Sequence, residues 1–489
     1  MPGIQKNNLM KKLVFSLFLV AAAYYAVSQI TILNSKYIGG SLGDHIRFFY
    51  PLNNGNYIIG GSSYSNDGDL TSNNGNNDCF FTKIDDNLNI TNLLSFGESE
   101  YDYITDVSTI NDSSFVLLIN SNSSTGIFSG NKGSYDTWIR SYYISPLWLS
   151  SPISYGGTGD DCGYNIIPKA TGGYIICGYS TSNDGDLPAN YGTKDFWVLN
   201  LTNTWSVAWS KNYGGSNDDV AIKVFQLNDG NILVFGNTIS SNNMVHNFKG
   251  VKDIWVVKLN SMGDTIWTKT YGGSGYDEII NVKRIGNNQF AMIGTSNSID
   301  GDFMYIAKQN NEKVSYSYGF YHVIDDNGQF VCGGTKSMID NNVSFKDIVW
   351  TNQQDVEVFG YIDTDTSLLA NYDIIILNYN NGLNLRLDTI KGNEADGTLF
   401  IASHKLNSTD FFIAASSLSS DLAPNYHGDY EILLAIVRKN SVNNTKEFNN
   451  MPNINLFPNP ANRIIYINNL PTDKRWMYNI FDISGKNLI

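Results

Sequence analysis

The chain is poor in the residues that commit a protein to metal, thiol or nucleic-acid chemistry. Its 489 residues include only 4 cysteines, Cys79, Cys162, Cys177 and Cys332. None forms a Cys-x-x-Cys pair, which excludes the common zinc spacings. The 5 histidines are His45, His246, His322, His404 and His427. They show neither metal spacing nor a neighbouring nucleophile motif, so surface or loop positions are expected for them. Proline is scarce, at 11 residues, and charged residues make up only 16%. The formal net charge of -14 repels nucleic-acid phosphates and anionic membranes but tolerates cations. Solubility alone is a sufficient role for such a surface. Beyond residue 29 no apolar run approaches membrane-spanning length.

Glycine and aromatics are abundant, with 44 Gly, 30 Tyr and 25 Phe. That balance suits many short strands joined by turns. The tripeptide Tyr155-Gly156-Gly157 returns as Tyr213-Gly214-Gly215 and Tyr271-Gly272-Gly273, with weaker copies at Phe96-Gly97 and Ile38-Gly39-Gly40. The steps are 58, 59, 58 and 58 residues. Asp78, Asp136, Asp195 and Asp253 keep the same beat, each opening an apolar run. Fixed self-similarity at this period means stacked supersecondary units that share a core.

One unit, Gly214 to Tyr271, can be read in full. Asp219–Gln226 alternates as a first strand, and Asn228-Asp229-Gly230 is a hairpin turn. Asn231–Thr238 and Asp253–Leu259 carry continuous apolar runs, as strands buried on both faces do. Met262-Gly263-Asp264 turns into a more polar fourth strand, Thr265–Tyr271, which shields the sheet edge. Four-stranded antiparallel units repeated radially predict an all-β fold, a β-propeller. Residues 30–440 divided by the period predict seven blades, with eight as the alternative because 319–397 is irregular. That stretch holds candidate strands at Gln329–Ser337, Asp347–Thr351, Asp355–Asp363 and Tyr372–Asn378. The last unit has strands at Thr398–Lys405, Asp410–Ser417 and Tyr430–Arg438 but no fourth. Residues 31–40 align with the fourth strand of another unit, so the N-terminal strand is predicted to close the ring.

Residues 1–28 read as a signal peptide: Lys6, Lys11 and Lys12, then apolar Leu13–Val27, then Ala26 and Ser28 before a cut at Gln29. Met10 is an alternative start. Export permits disulfides. Cys162 and Cys177 fall on adjacent strands, but a hairpin near Gly172 pairs Cys177 with about residue 167, so isolated buried thiols are expected rather than a bridge. The propeller is assigned to 29–440, followed by an Asn-rich linker at 441–452.

The tail reads Asn453-Ile454-Asn455-Leu456-Phe457-Pro458-Asn459-Pro460-Ala461, with Tyr478-Asn479-Ile480-Phe481-Asp482-Ile483-Ser484-Gly485-Lys486 downstream. Residues 453–489 resemble the C-terminal sorting domain of type IX secretion substrates from Bacteroidetes-like bacteria. The resemblance implies a small β-sandwich, here partial, and the type IX machinery as a partner. It places the chain in the medium or at the cell surface, or in the periplasm if the shortened tail fails. The recurring Tyr-Gly-Gly, Asp-Gly-Asp and Asp-x-Trp elements also look like those of secreted propellers from the same bacteria, most without assigned activity. Asp264-Thr265-Ile266 and Asp388-Thr389-Ile390 resemble the O-glycosylation sites of these bacteria.

The candidate ligand sites are carboxylates. Asp67 and Asp69, Asp184 and Asp186, and Asp300 and Asp302 recur as Asp-Gly-Asp in the loop between second and third strands. Carboxylates two apart beside glycine can chelate calcium, although the spacing is not that of an EF-hand. The competing role is turn capping. Asp136, Asp195 and Asp253 are expected to tie the third strand to a neighbouring loop. The seven arginines do not recur with the units, so the cluster a sialidase-like site needs for a substrate carboxylate is not legible. Paired catalytic carboxylates on one rim are not singled out either. The reading is a secreted binding module for a glycan, a peptide or calcium, with no catalytic constellation recognised. A secreted carbohydrate-active hydrolase is the alternative.

Overall fold

The computed structural model describes residues 30–439, apart from positions 146, 189 and 287 and stretches 304–316, 338–340, 351–354, 364–371, 381–382 and 392–395. It also describes 456–459 and 464–467. Residues 29–439 make one compact unit, a ring of seven antiparallel blades. From the axis outward, blade one is Asp44–Pro51, Tyr57–Ser63, Asp78–Ile84 and Ile90–Phe96. Blade two is Asp102–Asn111, Ser114–Ser121, Asp136–Tyr143 and an outer strand split into Trp148–Leu149 and Ile153–Tyr155. Blade three is Asp161–Pro168, Tyr174–Ser180, Asp195–Leu201 and Val207–Tyr213. Blade four is Asp219–Gln226, Ile232–Thr238, Asp253–Leu259 and Thr265–Tyr271, nearly residue for residue as the sequence predicts.

The irregular stretch resolves into ordinary blades. Tyr318–Asp325 and Phe330–Lys336 complete blade five behind Asp277–Ile285 and Gln289–Ser296. Blade six is Val343–Trp350, Asp355–Asp363, Tyr372–Asn380 and Leu383–Ile390. There is no eighth blade among the described residues; the extra length lies between strands, for example between Ser296 and Tyr318. Blade seven is Asp396–Lys405, Asp410–Ser417 and Glu431–Lys439, closed by Ile30–Ile38. Closure runs from Ile30 opposite Lys439 to Ile38 opposite Ile432. Residues Leu456–Asn459 and Ile464–Ile467 pair as a separate hairpin. The rest of the sorting-domain resemblance, the linker and the signal segment lie outside the described residues.

The core is the set of blade-to-blade interfaces. Phe196 and Val198 of blade three pack against Val234, Trp255 and Val257 of blade four. Val116 and Leu118 of blade two meet Ile176, Trp197 and Leu199 of blade three. Second and third strands such as Ile232–Thr238 and Asp253–Leu259 are buried at every position, whereas Thr265–Tyr271 is mostly half-buried or exposed. The hairpin turns need positive φ, and Gly230 (84°) and Gly263 (79°) supply it.

A polar belt stitches the inner strands together. Asp106 of blade two accepts from Tyr50 Oη of blade one at 2.7 Å and from Asn165 Nδ2 and the Ile166 N–H of blade three at 2.5 and 3.0 Å. Asn165 Oδ1 accepts the Val224 N–H of blade four. Asp347 of blade six takes Lys283 of blade five on one oxygen and the Ser403 N–H and hydroxyl of blade seven on the other. Three of these bonds satisfy backbone N–H groups that lie close to bulges, those of Ile166, Val224 and Ser403.

Two sequence expectations are corrected. Cys162 and Cys177 are on adjacent strands and free, but Cys177 lies opposite Asn165, not residue 167, because the hairpin is centred one residue earlier, with Pro168 opposite Tyr174. Three histidines sit within strands, not at loops: His45 and His404 on inner strands, and His322 buried on a third strand. Neutral imidazole is hydrophobic enough to pack there, and burial holds His322 down at about 4.

Candidate functional site

Inner and third strands all begin at one face of the ring, and second and outer strands end there. This face carries every repeated motif. At each of four junctions the second glycine's N–H meets the aspartate that opens the next inner strand. The pairs are Gly40 to Asp44, Gly157 to Asp161, Gly215 to Asp219 and Gly273 to Asp277, at 2.6–2.8 Å. The aspartates opening the third strands hold the N–H four residues earlier: Asn74 to Asp78, Lys132 to Asp136, Tyr191 to Asp195 and Lys249 to Asp253. Their tie is therefore to the loop just before them. The other oxygen of each is buried without a partner in the structure.

These unpaired oxygens explain the first glycine of the repeat. A Cβ at Gly97, Gly156, Gly214 or Gly272 would collide with Asp78, Asp136, Asp195 or Asp253 respectively. Burial pushes Asp136 and Asp195 up to about 7, and the carboxylates of Asp161 and Asp219 across the junction add to the rise. Asp78, Asp253, Asp44 and Asp219 are raised by burial to about 6.

The six Asp-Gly-Asp carboxylates lie farther out on the same face, and the oxygens of five of them serve the neighbouring loop. Asp67 accepts the Ser41 N–H, Asp184 that of Thr158 and Asp300 that of Ser274, at 2.6–2.8 Å. In blade four an uncharged Asn242 does the same for Ser216 at 2.9 Å. Asp186 pairs with Lys132 and accepts the Gly156 N–H; Asp302 pairs with Lys249 at 2.5 Å and accepts the Gly272 N–H. At the closing junction His427 stands in the lysine's place and pairs with Glu431, leaving the Asp69 side chain without a partner among the described residues. The structure brings each Asp-Gly-Asp to a Gly-Gly loop rather than to another acidic loop. Among the described residues no three His, Cys, Asp or Glu side chains converge as a metal site.

Nearer the axis the same face is built differently. The inner strands enclose a central channel of about 920 Å³. Six carry a one-residue bulge at the same register, which places Arg47, Thr105, Tyr164, Ile222, Ile280 and Lys346 on the channel. In blade seven a longer shift puts Phe400 there. A bulge re-aims the side chain it carries. The scaffold repeats, but these seven side chains do not.

A collar of tyrosines surrounds this ring at the channel mouth. Arg47 lies 5.5 Å from the centre of the Tyr103 ring, and Tyr103 lies 5.9 Å from Tyr135. Tyr164 and Tyr179 are 5.8 Å apart, with Lys194 4.4 Å over Tyr179. His45 touches Tyr64 and Tyr430 at 5.9 and 6.4 Å, and Tyr64 leads to Tyr101. On blade six Tyr361 stands 5.0 Å from Tyr372, with Lys346 5.2 Å over it. Lys252 covers Tyr276 at 5.1 Å and pairs with Glu278. Desolvation lowers Lys346 to about 8, while Glu278 opposes the fall. The sequence offered no periodic signal for this collar, because its members occupy different strand positions in different blades. The usable signal was the break in repetition at one bulge position.

No protein-family model matches the chain, and no curated protein is similar to it. Among solved structures the Dos1 propeller is similar at 9% identity, covering 83% of this chain and 95% of that one with a TM-score of 0.42. The subtype N11 neuraminidase-like protein of A/flat-faced bat/Peru/033/2010 (H18N11) is similar at 9% identity, covering 67% of this chain and 85% of that one, with a TM-score of 0.33. The acylaminoacyl peptidase of Pyrococcus horikoshii is similar at 12% identity, covering 70% and 46%, with a TM-score of 0.35. The reading of the site rests on this chain's own residues.

Proposed function

We propose that this propeller is an exported binding module that takes its ligand at the channel mouth, on the face of the Gly-Gly and Asp-Gly-Asp loops. The observation that carries the reading is the collar of half-buried tyrosines around seven non-repeating bulge residues. Concave sites lined by aromatics with a few placed polar groups are the usual form of small-ligand pockets. The outer-loop carboxylates, by contrast, hold the loops to one another, so the binding centre moves inward from the positions first expected. Export through the signal segment and the type IX-like tail places the module outside the cell, as the sequence resemblance implies.

A hydrolase would have to draw its carboxylates from Asp106 and Asp347, the acidic residues among the channel lining. Both have their two oxygens engaged in the polar belt. This favours binding over hydrolysis. The test is a glycan and peptide array probed with the propeller, beside a polysaccharide hydrolysis screen, each with and without EDTA. Binding that Tyr164→Ala weakens, without turnover, is the expected result. Reducing ends released on incubation would replace the binding module with the hydrolase.

A further inference from the structure

The channel is cationic inside an acidic protein. Its lining includes Arg47, Lys223, Lys283, Arg284 and Lys346 against only Asp106 and Asp347, in a chain of net charge -14. Two of the cations are committed. Lys283 pairs with Asp347 at 2.6 Å. Arg284 donates to the Gln226 carbonyl and to Asn288 at the opposite end of the inner strands. The other three, Arg47, Lys223 and Lys346, make no ion pair among the described residues. Arg47 is exposed, yet the Tyr103 ring steadies its guanidinium.

Around the bulge ring the cations Lys346 and Arg47 sit on blades six and one, with Phe400 of blade seven between them. Thr105, Tyr164, Ile222 and Ile280 fill blades two to five. Both cations therefore border an aromatic side chain on a ring that is otherwise uncharged.

Resting on the binding reading above, we propose that the ligand is an acidic oligosaccharide whose carboxylates are held at separate points by Arg47 and Lys346. Its sugar faces then lie on Tyr164 and the other collar tyrosines. A guanidinium holds a carboxylate through two parallel N–H bonds, and a low-dielectric channel strengthens the attraction. Tyrosine rings offer apolar faces with a hydroxyl at the tip, which matches a pyranose ring better than the flexible backbone of an acidic peptide. The negative outer surface adds selectivity, because it disfavours an extended polyanion except at the channel mouth.

The test is calorimetric titration of the full chain at low salt with three probes: tetragalacturonate, neutral tetragalactose and tetraglutamate. Tetragalacturonate is expected to bind, weakening at least tenfold with Arg47→Ala and falling steadily with added NaCl. Arg47→Lys restores part of the affinity. Lys211→Ala, on an outer strand, leaves it unchanged. An unchanged melting temperature shows that Arg47→Ala is folded. Equal binding of tetragalactose, lost with Tyr164→Ala, keeps the mouth as a binding site but overturns its anion preference. Preferential binding of tetraglutamate overturns the sugar assignment. Binding of an acidic probe that survives Arg47→Ala with Lys346→Ala overturns the assigned contacts, and no binding of any probe overturns the proposal.

Discussion

The aspartates that open the inner and third strands of the first blades are buried carboxyls, and that has a measurable consequence. Asp136 has one oxygen on the Lys132 N–H and the other unpaired near Asp161. Its proton is held to about 7, well above its unfolded value. Between the two values the folded state binds more protons than the unfolded one, so stability falls as pH rises. Nine such carboxyls are raised: Asp44, Asp78, Asp102, Asp136, Asp161, Asp195, Asp219, Asp253 and Asp277. His45, His322 and His404 are lowered and work in the opposite direction, but they are fewer. The melting temperature should therefore be higher at pH 5.5 than at pH 8; a scan rising through that range would contradict the carboxyl pairing. Asp136→Asn keeps the acceptor for Lys132 and removes the charge. It should raise stability at pH 8 by on the order of 1 kcal/mol or more, by less at pH 5.5, and by least near pH 4, where the unfolded carboxyl is itself protonated. The outer carboxylates obey a different logic. Since Asn242 already replaces an aspartate in blade four, Asp184→Asn should leave stability within about 0.5 kcal/mol. Millimolar calcium should then shift the wild-type melting temperature little, and a rise of several degrees abolished by Asp184→Asn with Asp186→Asn would establish a calcium site there.

At the level of strands and turns the sequence was most transparent where repetition and burial agree. Asp219–Gln226, Asp253–Leu259 and Thr265–Tyr271 were readable to the residue, because alternation, apolar runs and Gly turns point to one arrangement. The region 319–397 was harder. Blade six starts with Val343 instead of an aspartate, and the Gly333-Gly334 pair before it lies within the outer strand Phe330–Lys336, not four residues ahead of the inner strand. The bulges were not readable at all, since a bulge is a relation between two strands; the hairpin centre, one residue earlier than expected, misplaced Cys177 by two positions. Only the bulges reveal the channel ring, so the part of the sequence that escaped repetition carried the candidate site. Closure was readable from an orphan strand. Ile30–Ile38 buries Tyr37 and Ile38 completely and packs Ile30 and Ile32 against Phe411, Leu433 and Val437. Deleting residues 30–38 strips those contacts and leaves Glu431–Lys439 as a bare hydrophobic edge. The expected loss is on the order of 5 kcal/mol or more, comparable with the stability of an entire domain. Denaturant titration of the deletion should give a soluble fraction that is unfolded or aggregated; a midpoint like the parent's would refute closure as the stabilising element.

For the molecule as a whole, the folded propeller and the segments expected to direct export are different parts of the chain. The propeller buries its own interfaces within residues 29–439 and closes on itself, so it needs nothing from the tail to fold. Among the described residues no helix is long and apolar enough to cross a membrane. The tail's Phe457-Pro458-Asn459 lies in a hairpin strand opposite Ile464–Tyr466, within the segment whose sequence resembles a sorting domain. Removing 453–489 is therefore expected to leave the melting temperature unchanged within about 2 °C, since no propeller interface is cut. Expressed with its own leader in a host that carries type IX secretion, the shortened chain should accumulate in the periplasm while the complete chain reaches the surface or medium. Equal surface delivery of both chains would remove the sorting role from the tail. Loss of folding in the shortened chain would show that the tail is part of the propeller's stability instead.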